Sequence, residues 1–185
     1  PGIEIMPSKV SPGDAILLSG YIGRHGISIM ASREGLQFET AIESDCAPLA
    51  QIVGKLMAGS LSIHCMRDLT RGGLGAALIE IAQTRGISIS VDESRISVSE
   101  PVRAACEILG LDPLYVANEG RFIIFVPQNE SEKALQILQS DPSGKNSAII
   151  GQVGEPGKSI VTARGSLGTN RILDLPRGEQ LPRIC

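Results

Sequence analysis

The sequence predicts an α+β fold: a mixed or antiparallel sheet with helices packed on one face, followed by a flexible C-terminal tail. Short apolar runs alternate with helix-period segments along most of the chain, and the last stretch before the tail contains only short strands with hairpin-like joins. Beyond Leu175 both periods disappear.

"DAILLSG" reads as the first strand and leads into a glycine-rich bend, "YIGRHG". "ISIMASREG" fits either helix or strand, because a short apolar run does not fix the period. "PLAQIVGKLMAG" reads as an apolar helix and "LSIHCM" as a buried strand. In "LGAALIEIAQTRG", Leu74, Leu78, Ile81 and Ala82 share one face of an amphipathic helix that Gly86 stops. The strand "ISISVD" follows, then a helix opened by Pro101 and closed by Gly110. After the "ANEG" turn comes the strand "RFIIFVP". "NESEKALQILQ" presents Asn129 as N-cap with Glu132 three residues later, a capping-box pattern. "AIIGQVGE", "SIVTAR" and "NRILDL" complete the strands.

Hydrophobic residues make up 42% and charged residues 20% of the chain, which places it among globular proteins. No run approaches the roughly 18 apolar residues of a membrane span, and the first ten residues lack the pattern of a signal peptide. With a net charge of −3, no Trp and 3% aromatics, the chain lacks basic patches with stacking rings, so no nucleic-acid partner is expected. Cys46, Cys65, Cys106 and Cys185 are far apart, which suits free thiols in a cytoplasmic protein better than a disulfide framework. Val102, Ala105, Cys106 and Leu109 mark one helical face, making Cys106 a core residue, while Cys46 falls near a helix entry. His64 and Cys65 are neighbours in a strand and point to opposite faces, so they are not read as a metal pair.

Two stretches carry chemistry. "PRGEQLPRIC" combines Pro176, Gly178 and Pro182 without periodicity and ends on the thiol of Cys185; ten extended residues reach roughly 30–35 Å. In "MRDLTRGGLGAAL" a strand gives way to a helix through Thr70, Arg71, Gly72 and Gly73. Glycines admit a ligand close to the backbone, a helix start attracts anions, and Arg71 adds a forked cationic donor. The same stretch also reads as an ordinary strand-to-helix turn with Arg67 and Asp68 as a surface ion pair.

"MRDLTRGGLGAAL", "ACEILGLDPLYVANEGRFIIFV" and the terminal "PRIC" together resemble the hydrogenase maturation family HypE, over about Gly13 to Cys185. HypE belongs with aminoimidazole ribonucleotide synthetase, selenophosphate synthetase and thiamine-monophosphate kinase, and the terminal cysteine separates it from those sister enzymes. The resemblance implies a role in making the cyanide ligands of [NiFe] hydrogenases. A carbamoyltransferase, HypF, would load a carbamoyl group on Cys185; ATP-dependent dehydration would turn it into a thiocyanate; the cyano group would pass to iron on a HypC–HypD scaffold. The family forms a homodimer and binds ATP and magnesium mainly through an N-terminal half. This chain is therefore expected to be the C-terminal part, which alone should not turn over ATP or hold a cofactor or metal. Residues 1–22 would be the end of the ATP-binding half and a linker, 23–175 the α+β domain, and 176–185 the tail.

On that basis Cys185 is the carrier, Glu119 in the "NEG" turn the candidate base, and His25 a second candidate. Arg67, Asp68, Thr70, Arg71, Gly72 and Gly73 are candidates to meet phosphate or developing charge. The family's bend reads G-D-H-G, whereas this chain has Gly23-Arg24-His25-Gly26, so no role of that aspartate transfers to Arg24. A model thiol titrates near about 8.5, and the α-carboxylate of Cys185 opposes a second charge, so the partner's site is expected to activate it. Two other readings stay open: another ATP-using enzyme of the superfamily, and a docking module for maturation partners.

Overall fold

The computed structural model describes residues 4–35 and 41–175. The expected tail with Cys185 lies outside the described residues. Seven strands form one sheet: β1 (Ala15–Leu18), β2 (Cys65–Asp68), β3 (Ile87–Asp92), β4 (Phe122–Val126), β5 (Ala148–Pro156), β6 (Val161–Arg164) and β7 (Asn170–Leu173). Their order is β2-β4-β1-β5-β3-β6-β7. Every neighbouring pair is antiparallel except β3–β6, which makes the sheet mixed, as expected. Five helices accompany it: α1 (Arg24–Glu34), α2 (Ala50–Ala58), α3 (Gly73–Arg85), α4 (Glu100–Leu109) and α5 (Ser131–Gln139). No helix among the described residues is long and apolar enough to cross a membrane.

The helices occupy both faces of the sheet, not one. Successive side chains on a strand point to opposite sides, and those of β1 and β4 divide accordingly. Ile16, Leu18, Ile123 and Phe125 join the core under α3. Ala15, Leu17, Phe122, Ile124 and Val126 join a second core with Ile52 and Leu56 of α2 and Ala134 and Leu138 of α5. The continuous apolar runs "AILL" and "FIIFV" are what two-sided burial requires. Along β3 and β6, buried and more open residues alternate, because only the α3 face is covered there.

"ISIMASREG" resolves as helix. Gly23 (φ 87°) and Gly35 (φ 64°) set its two ends in a left-handed conformation that favours glycine. Its Ile27 packs with Val102, Ala105 and Cys106 of α4 and with Val116 in a third core. Cys106 is thus the core residue its periodicity indicated.

Three local expectations need correction. Helix α3 is not simply amphipathic: Gly73 through Ile79 are all buried, and solvent reaches it from Glu80 onward. It lies between the sheet and residues 114–116, so its first two turns have no wet side. The Asn129 cap does not form. Gln128–Glu130 make a 3-10 turn, α5 starts at Ser131, and the Ser131 hydroxyl donates to the Gln128 carbonyl at 2.8 Å. Finally, the sheet crosses the boundary expected at residue 22, since β1 is hydrogen-bonded on both sides, to β4 and β5.

The two-faced core gives a direct test. Leu17 is fully buried and Ile172 is 58% exposed. Leu17→Ala should cost about 2–5 kcal/mol in urea unfolding, and Ile172→Ala no more than about 0.5 kcal/mol. Equal losses would mean that the face under α2 and α5 is not a packed core.

Candidate functional site

Three backbone segments converge where β1 and β2 end: the bend 23–26, the loop 69–73 and the turn 117–120. Their junction is the side chain of Asn118, which is fully buried. Its Oδ1 accepts the Gly23 N–H at 2.7 Å, and its Nδ2 donates to the carbonyls of Val116 (2.9 Å) and Leu69 (3.3 Å). The Asn118 N–H also donates to Leu69 O at 3.0 Å, and the Gly26 N–H to Ala117 O at 3.0 Å. Every polar group of this buried amide is used, as burial demands.

A fourth segment, Glu43–Cys46, lies across the turn. The Glu119 N–H donates to Asp45 Oδ1 at 3.2 Å. The His25 ring nitrogen Nδ1 is 2.9 Å from the Ser44 hydroxyl, and Arg24 Nε donates to Glu43 O at 3.1 Å. Arg24 is thus a donor to this segment. Arg121 braces the far side of the turn through Nε to Tyr21 O (3.0 Å) and Nη1 to Gly120 O (2.8 Å). Burial pushes the Arg121 guanidinium below its usual proton affinity, and Asp45, 3.8 Å away, partly opposes that.

Glu119 and His25 therefore fall on the same side of the molecule, joined through adjacent residues of one segment. Glu119 is half-buried and His25 buried. Thr70 is half-buried and Arg71 exposed at the start of α3, where no side chain caps the helix. Gly72 and Gly73 have φ of 70° and 62°, the left-handed geometry expected of glycine. Their neighbours are protein, however. A Cβ on Gly73 would stand 2.6 Å from Val116 O, and one on Gly72 2.5 Å from the Ala76 methyl. Close packing explains these glycines without a ligand.

Arg67 and Asp68 sit apart from the convergence. Arg67 Nη1 is 3.1 Å from Asp68 and Nη2 is 2.9 Å from Glu80, all three side chains being about half exposed. That matches the surface ion pair weighed in the sequence, extended by Glu80. His64 and Cys65 point apart: His64 Nδ1 contacts Asp14 at 2.7 Å, while Cys65 is buried in the core under α3. Among the described residues no group of three or more His, Cys, Asp or Glu could hold a metal ion.

Asn118, Asp45, Ser44 and Arg121 were not singled out by sequence reasoning. Asn118 stood in the quoted "ANEG" turn, and its two-sided hydrogen-bonding capacity was the available signal. For Asp45 there was none, since its partner is 74 residues away.

Domain and site define a class. The family of AIR synthase related proteins, C-terminal domain, matches residues 11–164, and the chain belongs to it. Within that class the similarity is specific. The chain is 47% identical over all 185 residues to "Carbamoyl dehydratase HypE" of Azotobacter vinelandii, of which it covers 54%. A crystal structure of HypE in complex with ATP matches 98% of this chain and 55% of that one, at 42% identity and a TM-score of 0.91. A HypE–HypF complex matches 93% of this chain and 56% of that one, at 42% identity and a TM-score of 0.89. The resemblance to HypE read from the motifs is borne out. The chain spans about half the length of the curated relatives it matches.

The thiols offer a check on the packing. Cys46 is exposed, whereas Cys65 and Cys106 are buried. Burial pushes each of the latter two thiols up to about 11. At neutral pH a thiol reagent should label Cys46 in the folded chain, and Cys65 and Cys106 only after unfolding. Rapid native labelling of Cys106, read by peptide mapping, would contradict the α1–α4 core.

Proposed function

We propose that this chain is the C-terminal half of an ATP-dependent carbamoyl dehydratase acting in [NiFe] hydrogenase maturation. The observation that carries the proposal is the 47% identity to HypE over the whole chain, joined to the convergence of the bend, loop and turn on Asn118. Cys185 is the proposed carrier, accepting a carbamoyl group from HypF; a HypE relative has been crystallised with HypF. The HypC–HypD scaffold is the proposed acceptor of the cyano group, with a cytoplasmic homodimer as the working form.

The proposed reaction removes one oxygen and two protons from an S-carbamoyl group, leaving S–C≡N. ATP, which a HypE relative binds, supplies the activation that makes the carbamoyl oxygen a phosphate leaving group. In this chain Glu119 is the proposed base that takes a nitrogen proton, with His25 as second candidate. The uncapped start of α3 and exposed Arg71 suit a phosphate oxygen or the charge that develops as the C–O bond breaks. Thr70, Gly72 and Gly73 shape that loop, while Arg67 and Asp68 stay at its rim with Glu80. Binding of ATP and magnesium is assigned mainly to the other half of the protein, so this chain alone is proposed not to turn over ATP.

Incubating full-length protein with HypF, carbamoyl phosphate and ATP tests the carrier. Peptide mapping should place the carbamoyl and cyano groups on Cys185 alone, even though Cys46 is exposed. Modification of Cys46, Cys65 or Cys106 instead would refute the assignment, and no modification anywhere would favour a docking role or another activity of the superfamily.

The base is tested by Glu119→Gln, which preserves volume and removes proton affinity. The variant should still accept the carbamoyl group, yet form thiocyanate about 10²–10⁴-fold more slowly. Thiocarbamate should accumulate by intact mass in the presence of ATP. Dehydration at the wild-type rate would remove Glu119 from the site.

A further inference from the structure

We propose that Asp45 is a positioning residue that holds Glu119 in its working pose. The inference rests on the reading of Glu119 as the base. Three observations support it. The Asp45 side chain is fully buried, and its Oδ1 accepts the N–H of Glu119 itself. The backbone of the two segments is in direct contact: a Cβ on Gly120 would stand 2.0 Å from the Asp45 carbonyl oxygen, so position 120 tolerates no side chain. Asp45 Oδ2, in contrast, is buried without a hydrogen-bond partner among the described residues, its nearest charge being Arg121 at 3.8 Å.

A buried, half-satisfied carboxylate is costly, and a chain selected only for stability would do better with an apolar side chain there. Something must offset that cost. The contacts identify it. Asn118 and Gly120 fix the residues before and after Glu119, and Asp45 fixes the amide of Glu119, so the carboxylate has a rigid base from which to reach the reacting group. The same short segment meets His25 through Ser44 and Arg24 through Glu43 O, so both candidate bases are set by three consecutive residues. Displacements of about 1 Å in a catalytic group can cost on the order of 10²-fold in rate.

Full-length protein, HypF, carbamoyl phosphate and ATP again supply the assay, with thiocarbamate formation and its dehydration followed separately by mass. Asp45→Ala should accept the carbamoyl group at the wild-type rate and dehydrate it about 10–100-fold more slowly. Asp45→Asn keeps an acceptor for the Glu119 N–H and should restore most of the rate. Hydrogen exchange should show faster exchange of the Glu119 amide in Asp45→Ala than in Asp45→Asn. If Asp45→Ala does not fold, Asp45→Val removes both acceptors while keeping most of the volume, and the same two readouts decide. Wild-type dehydration by the alanine or valine variant, with Glu119→Gln slow, overturns the proposal and leaves the base standing. An asparagine variant as slow as alanine, or loss of carbamoylation itself, also overturns it. Wild-type dehydration by Glu119→Gln removes the base, and the role proposed for Asp45 falls with it.

Discussion

The side-chain amide of Asn118 is the constraint on which the rest of the site depends. It joins the start of α1, the end of β2 and the strap of residues 112–118 through one buried group. Leu69 O also accepts the Asn118 N–H, but the Gly23 N–H and Val116 O depend on the side chain, and leaving either buried unpaired costs about 1–3 kcal/mol. Aspartate could accept from Gly23 but could not donate to Val116 and Leu69; leucine could do neither. An amide donates two hydrogen bonds and accepts at its oxygen from one short planar end, which is the set used here. The turn that follows, with Glu119 at its tip, is therefore held by a side chain that uses both its donor and its acceptor atoms.

Around that amide the site is built by backbone meeting backbone. Gly26 lies against the Ala117 backbone, Gly73 against the carbonyls of Leu114 and Val116, and Gly120 against the Asp45 carbonyl. Of the glycine pair at the start of α3, which the sequence suggested for ligand approach, Gly73 instead admits the strap and Gly72 clears the Ala76 methyl of its own helix. This alters the argument for the phosphate loop. Flexibility of Gly72 and Gly73 is therefore not what would suit the loop to the proposed anion; the uncapped helix start and exposed Arg71 are the features that support that proposal.

Most of the fold was legible because its signals were local. Alternation along "ISISVD", the stop at Gly86 and the Pro101–Gly110 helix all depend on residues a few positions apart. Covering of both sheet faces is also visible, in the unbroken apolar runs of β1 and β4, whereas element order alone points to a single-face sandwich. The Asn129 cap was misread because the 3-10 turn after Pro127 absorbs the residue before the helix starts. Glu119, His25 and Arg71 were open to motif and resemblance as candidates for the site. Asp45 was not, because its meaning lies in one contact with residue 119 and one with residue 121, neither of which leaves a periodic trace.

The strap also reaches the root of the C-terminal segment. Tyr115 packs its ring over Gly75, and its hydroxyl donates to the Asp174 carbonyl at 2.8 Å. Arg171 of β7 meets Asp112 and Glu93, each at 2.6 Å. Burial disfavours the Arg171 cation, but hydrogen bonds to Asp112 and Glu93 outweigh it and hold the guanidinium above its ordinary range. These pairs are partly exposed, so they contribute little to stability. Their value is geometric. Ten extended residues reach roughly 30–35 Å, which bounds what a thiol at the end of the sequence could meet from that root. By tying β7 and Asp174 to residues 112–115, the molecule sets that origin on the same strap that, a few residues on, becomes Asn118 and Glu119. For a protein proposed to accept a group on one partner and transform it on itself, the distance from that root to the proposed base is then set by the fold.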